Sequence, residues 1–187
     1  MQGTDCLMQI SKTNTDILIL EPKVFKDERG FFLESFNQKD FSEVIGQEFL
    51  FVQDNHSRSK KNVLRGLHYQ LPKPQGKLVR VVAGEVFDVG VDLRKSSPTF
   101  GQWTGINLKA DKLQLVWIPP GFAHGFLVLS DTADFFYKTT DYYDAKAEHC
   151  LKWDDLKVGI EWPTTVSPEV SLKDQQGQTF DTLRYFP

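Results

Sequence analysis

The segment Lys77-Leu-Val-Arg-Val-Val-Ala-Gly-Glu-Val-Phe-Asp-Val-Gly-Val-Asp-Leu93 constrains the fold more than any other part of this chain. It consists of two runs rich in β-branched residues, joined at Ala83-Gly84-Glu85, where a glycine can supply a tight turn. Further strand candidates lie at residues 17–21, 31–36, 50–56, 63–70, 99–107, 114–118, 123–129 and 135–141. Turn clusters such as Leu71-Pro-Lys-Pro-Gln-Gly76 and Lys95-Ser-Ser-Pro98 separate them. Many short strands without alternating helices predict an all-β antiparallel sandwich or barrel. One helix is expected near residues 37–45, where Asn37 caps, Asp40 and Glu43 suit the early turns, and Gly46 terminates. Phe36 and Phe41 have the spacing of a hydrophobic staple.

Size and charge limit what such a chain does. A 21.5 kDa protein exposes about 9,200 Å² when folded against about 31,000 Å² unfolded, enough burial for one core without staples. A single domain spanning residues 1–187 is therefore expected. Fifteen Phe, five Tyr and four Trp are too many large apolar groups for a disordered chain. The net charge of −3 and a pI near 5.8 argue against phosphate-backbone binding, so no nucleic-acid partner is expected. The basic run Arg58-Ser59-Lys60-Lys61 reads as a solvated loop. The longest uncharged stretch, residues 113–130, is broken by Pro119, Pro120, Gly121 and Gly125, so no membrane span is expected. No basic-then-apolar leader pattern opens the sequence. Cys6 and Cys150 form neither a disulfide framework nor a metal spacing, which points to a reducing, cytoplasmic setting.

Two segments carry residues with chemistry. In Leu64-Arg-Gly-Leu-His-Tyr-Gln70, Arg65 and His68 are three apart and would face opposite ways on a regular strand. They share a pocket only if Gly66 marks a bulge that resets the alternation; otherwise they read as a surface arginine and a hydrogen-bonded histidine. In Ile118-Pro-Pro-Gly-Phe-Ala-His-Gly-Phe126, a turn delivers a strand on which His124, Phe126 and Val128 share a face. An imidazole on an apolar face needs a partner or a ligand.

In order, these segments resemble the two motifs of the cupin superfamily, whose fold is a double-stranded β-helix, a jelly-roll barrel. Metal-binding cupins offer His-x-His, a carboxylate and a further His. Here His68-Tyr69-Gln70 stands at the first motif, Lys77 where the carboxylate is expected, and His124 at the second. A protonated lysine does not ligate, so the resemblance is to a cupin without a metal.

A longer ordered set sharpens this. Asp27-Glu-Arg-Gly-Phe-Phe-Leu-Glu34, Gln53-Asp-Asn55, Leu64-Arg-Gly-Leu-His68, Lys77, Pro120-Gly-Phe-Ala-His124-Gly-Phe126, Tyr137, Tyr142-Tyr143, Gly159-Ile-Glu-Trp-Pro163 and Leu172-Lys-Asp174 resemble the RmlC-type dTDP-4-dehydrorhamnose 3,5-epimerase family, from about residue 17 to residue 181. The resemblance implies a cupin jelly roll with a few short helices. It also implies a cofactor-free epimerase of a dTDP-linked 4-keto-6-deoxy sugar, inverting C3 and C5 through an enolate, and a homodimer paired through N-terminal segments that reach the partner's site. By the same resemblance His68 is the base, Asp174 its supporting carboxylate, Tyr137 the opposing acid and Lys77 the cation beside the C4 oxygen. Arg29, Glu34, Gln53, Asn55, Arg65, His124, Tyr143, Glu148 and Lys173 match substrate-binding positions, with Tyr143 stacking on the nucleotide. Without the resemblance, Asp174 reads as an Asx turn, Lys77 as a strand-start surface lysine, and Tyr137 as a core strand residue with a rim hydroxyl. The same residues serve epimerases of C3 alone or C5 alone. A non-catalytic sugar-nucleotide-binding cupin is the alternative of a different class.

Overall fold

The structure, a computed structural model, describes residues 8–187, so Cys6 lies outside the described residues. The strands are β1 (Met8–Lys12), β2 (Leu18–Pro22), β3 (Val24–Asp27), β4 (Gly30–Leu33), β5 (Gln53–Lys60), β6 (Val63–Gln70), β7 (Lys77–Ala83) and β8 (Glu85–Asp92). They continue with β9 (Trp103–Lys109), β10 (Leu115–Ile118), β11 (Phe122–Val128), β12 (Thr132–Thr139), β13 (Glu148–Cys150) and β14 (Glu169–Val170). Two short α-helices, α1 (Gln38–Ile45) and α2 (Leu172–Gln175), complete the main elements.

Two sheets face each other. One has the order β1-β2-β10-β7-β12-β5, and the other β13-β6-β11-β8-β9 with β14 parallel to one end of β6. This is the expected cupin jelly roll. The β7–β8 run explains the architecture. Its two halves enter different sheets, and Gly84 between them has φ 78, a left-handed conformation that costs a glycine little. Alternation then sorts the side chains. Val79, Val81 and Val86 enter the inner core with Val116, Phe126 and Phe135, while Val89 and Val91 face outward into a second core with Leu67, Leu151 and Phe180. Phe126 and Phe135 of the inner core also line a cavity between the sheets.

Helix α1 forms as its sequence dictates. The Asn37 side chain accepts from the backbone N–H of Lys39 and Asp40 at 3.0 and 3.3 Å, and Gly46 closes the helix at φ 72. Phe41 is fully buried, with ring-centroid separations of 6.0 Å to Phe36 and 5.2 Å to Trp117. The helix thus covers the outer face of the first sheet.

Three expectations shift. The strand expected at 50–56 is β5, which starts at Gln53 and runs to Lys60, so Arg58-Ser59-Lys60 is strand, not a solvated loop. Its eight residues pair one for one with β12, and that ladder fixes its ends. The strand expected at 31–36 is the second half of the β3–β4 hairpin, which ends at Leu33. The strand expected at 99–107 begins only at Trp103, because residues 99–102 form the turn that returns from β8.

Candidate active site

A cavity of about 670 Å³ opens between the two sheets, lined from β5, β6, β7, β11, β12 and the β14–α2 segment. Arg65 and His68 both line it, which a regular strand would forbid. The reason is a bulge. His124 on β11 faces His68, yet Phe126 faces Arg65, so two residues of β6 oppose one of β11. Gly66 makes this possible: it has φ 122, and a Cβ added there would meet the Cα of Gly125 at 2.6 Å and the carbonyl oxygen of His124 at 2.8 Å.

Asp174 occupies the edge of this bulge. Its Oδ1 lies 2.6 Å from His68 Nε2, and its Oδ2 accepts the Gly66 N–H at 3.1 Å. Helix α2 delivers it: Ser171 caps the turn, its Oγ accepting the Asp174 N–H at 3.1 Å. Burial works to raise the Asp174 carboxyl, but its bonds to His68, Gly66 and Ser171 outweigh that and hold it below the ordinary range. The side chain therefore stays an anion. With Nε2 engaged by the carboxylate, Nδ1 is the nitrogen of His68 left for a substrate proton.

Tyr137 rises from β12, in the sheet opposite His68, in register with Asn55 and Val79. Burial pushes its phenol up against the opposing pull of Arg65, so it remains a proton donor at neutral pH. Lys77 opens β7 and is only 7% exposed, so it is not a surface lysine. Its Nζ donates to the His68 carbonyl at 3.2 Å. Burial lowers it to about 8, partly offset by Asp88 and Glu148. It remains a poorly hydrated cation at neutral pH, suited to an oxygen that gains negative charge.

His124 is buried beside this group with Nε2 2.8 Å from Asp88 Oδ1. Burial lowers it despite Asp88, so it is neutral near pH 7. Arg65 is steadied by donating from Nε to Ser59 Oγ at 2.9 Å.

Of the expected site residues, Asn55, Arg65, His68, Lys77, His124, Tyr137, Lys173 and Asp174 line one cavity. Glu148 and Tyr143 join its rim: Lys173 pairs with Glu148, and the Tyr143 hydroxyl donates to Glu148 at 2.7 Å. Gln53 is linked through Asn55, whose Oδ1 accepts from its amide at 2.8 Å. Arg29 and Glu34 stand apart. Arg29 sits in the β3–β4 turn against Asp27, and Glu34 accepts from Asn37 at 3.0 Å. Neither lines this cavity.

Sequence reading missed four neighbours: Asp88, Ser59, Ser171 and Cys150. Asp88 had a visible signal, an acid at the inward parity of an apolar strand. Cys150 lies opposite His68 in the β13–β6 pair, and one ligand atom each of His68, Cys150 and Asp174 fall within 4.8 Å of one another. His56 and His149 hold structural contacts, with Asp134 Oδ1 at 3.3 Å and the Leu71 carbonyl at 3.3 Å.

Comparisons with known proteins bear on the chain as a whole and on its fold. A family model described as dTDP-4-dehydrorhamnose 3,5-epimerase matches residues 12–182. A dTDP-4-dehydrorhamnose 3,5-epimerase from Shigella flexneri is 60% identical over 181 residues, 96% of this chain and 99% of that one. A crystal structure of the 3,5-epimerase from Legionella pneumophila, in complex with dTDP-4-keto-L-rhamnose, superposes with a TM-score of 0.92 at 51% identity and covers 95% of each chain. A 3'-monoepimerase from Streptomyces bikiniensis in complex with dTDP-quinovose is more distant, at 32% identity and a TM-score of 0.85 over 91% of this chain and 87% of that one.

Proposed function

The chain belongs to the dTDP-4-dehydrorhamnose 3,5-epimerase family and is an isomerase of that class, and we propose that His68 and Tyr137 carry its two-faced proton transfer. It converts dTDP-4-dehydro-6-deoxy-D-glucose to dTDP-4-dehydro-L-rhamnose. The reading of residue roles rests on one observation: a carboxylate-backed imidazole and a phenol line one cavity from opposite sheets.

The chemistry follows from that placement. C3 and C5 both flank the C4 ketone, so loss of either hydrogen gives an enolate. His68 Nδ1 takes the proton, and Asp174 stabilises the imidazolium through Nε2. Charge moves to the C4 oxygen, where the Lys77 ammonium opposes it. Tyr137 then returns a proton to the same carbon from the opposite face, which inverts it, and a second cycle inverts the other carbon. Solvent exchange between cycles resets the two groups. Electrons are conserved within the sugar, so the reaction calls for no redox cofactor.

The nucleotide lies toward Arg65, Lys173 and Asn55, with Gln53, Tyr143, Glu148 and His124 as supporting contacts. Arg29 and Glu34 serve the cavity of a second copy. The protein acts as a homodimer, as a single domain and in the cytoplasm. Support for pairing comes from the β3–β4 ribbon, where Phe25, Phe31 and Phe32 are 50%, 60% and 69% exposed. For the location, support comes from cysteine usage, since Cys6 and Cys150 make no disulfide framework.

The test is incubation with dTDP-4-keto-6-deoxyglucose in D₂O followed by NMR. Deuterium is expected at both C3 and C5, and none with His68→Ala. Label at one carbon would restrict the activity to that centre. An undiminished His68→Ala rate would remove the base from this account.

A further inference from the structure

Cys150 takes no part in the proton transfers, yet it shares the space behind them. β13 places it across from His68, and α2 brings Asp174 to the same imidazole. Thiol, imidazole and carboxylate come from three separate elements and lie within 4.8 Å of one another. The thiol's own hydrogen bond is a long one, 3.5 Å to the adjacent Leu151 carbonyl. It is a free, half-buried cysteine, and its neighbours His68 and Asp174 line the cavity.

One sulfur, one nitrogen and one oxygen donor make a set that suits Zn²⁺ and its thiophilic neighbours. Bond lengths of about 2.3 Å to sulfur and about 2.0–2.2 Å to nitrogen and oxygen put tetrahedral donors roughly 3.5 Å apart. The His68–Asp174 edge, now 2.6 Å, would open, and Cys150 Sγ, within 4.8 Å of both, would close in, by side-chain rotation.

We propose that His68, Cys150 and Asp174 form a binding site for a zinc-class divalent cation, and that its occupation switches the epimerase off. The metal is an inhibitor here, not a cofactor. Binding replaces the Cys150 thiol proton, which leaves to solvent, so two anionic ligands balance the divalent charge. The cation takes the place of the His68–Asp174 hydrogen bond; the Nε2 proton moves to Nδ1, so no ring nitrogen is left to accept a substrate proton. The base then has neither its carboxylate support nor its affinity for a proton. The inhibitory half of this proposal rests on His68 being the base; the binding half does not.

Co²⁺ is the probe, because a cobalt–thiolate bond gives a charge-transfer band that other ligands do not. Chelator-stripped full-length protein is titrated with Co²⁺, and activity is assayed in parallel with Zn²⁺ added. The expected result is one Co²⁺ per chain with a thiolate band, displaced by Zn²⁺, and loss of turnover at matching occupancy. In Cys150→Ser the band should vanish and Zn²⁺ inhibition should weaken by at least the 10–100-fold that lost outer-shell partners already cost. Metal-free turnover should be kept, and Cys150→Ala provides a second variant if the first folds poorly. Failure of the wild type to bind one Co²⁺ through sulfur would overturn the proposal, as would inhibition unchanged in both variants. A thiolate-bound Co²⁺ in a protein that exchanges no deuterium even when metal-free would uphold the site and refute the catalytic reading instead.

Discussion

Asp174 uses both oxygens of one carboxylate, one for the imidazole of His68 and one for the backbone N–H of Gly66. Asp174→Asn keeps the shape but removes the charge and turns one acceptor into a donor. Turnover should drop by about 10²–10⁴, by analogy with loss of the aspartate charge in a Ser-His-Asp triad, while KM stays within a few-fold. Steady-state kinetics check this, and a change confined to a raised KM would make Asp174 a binding group only. Lys77, proposed to oppose the charge on the C4 oxygen, should set the alkaline side. Its ammonium is lowered to about 8 by burial, so the free-enzyme rate that needs its charge should be full below that value. The rate should decline as pH rises through about 8. The matching variant is Lys77→Arg, whose side chain keeps its charge and should move the limb upward. A limb that stays in place would assign it to another group. Neither the buried state of Lys77 nor the Asp174–His68 contact can be read from local sequence. Lys77 looks like any strand-start lysine and Asp174 like any turn aspartate, because what distinguishes them is the chain packed over them.

At the level of elements, the legible parts were those whose signal is local. Asn37, Gly46 and the Phe36–Phe41 pair specify α1 within ten residues, and it forms over Gln38–Ile45. The Gly66 bulge was legible only as a condition: Arg65 and His68 share a cavity if the alternation is reset there, and it is. Gly66→Ala tests the element directly. Its Cβ would meet backbone at 2.6 Å, and its φ of 122 lies where side chains are rarely found. The strain should cost about 1–3 kcal/mol, and even a 1 Å shift of His68 should cost turnover about 10²-fold. Denaturant titration and kinetics measure the two effects, and wild-type kinetics would show that the bulge does not set the geometry of the base. Strand ends were less legible. β5 extends to Lys60 because β12 offers it eight partners, and β13 and β14, three and two residues long, exist only as additions to β6.

Among the described residues, the ribbon carrying Phe25, Phe31 and Phe32 with Arg29 at its turn presents an apolar surface that the chain does not cover. If that ribbon pairs two chains, light scattering should give a dimer at micromolar concentration. Phe31→Asp/Phe32→Asp should then give a folded monomer with much reduced activity. A monomeric wild type would end this reading and leave Arg29 and Glu34 without a role at the site. Sequence alone determined the all-β class and the capped helix, and its ordered motifs, through their resemblance to a known family, named the side chains proposed to carry chemistry. Periodicity, turn residues and side-chain type are properties of short stretches. Tertiary structure decided which of those groups meet. It set His68 and Tyr137 on opposite walls, buried Lys77, brought Asp174 to β6 from more than a hundred residues away, and placed an unforeseen Cys150 beside them. Such meetings depend on strand order and register across two sheets, and these are fixed only when the inner core packs and every ladder finds its partner.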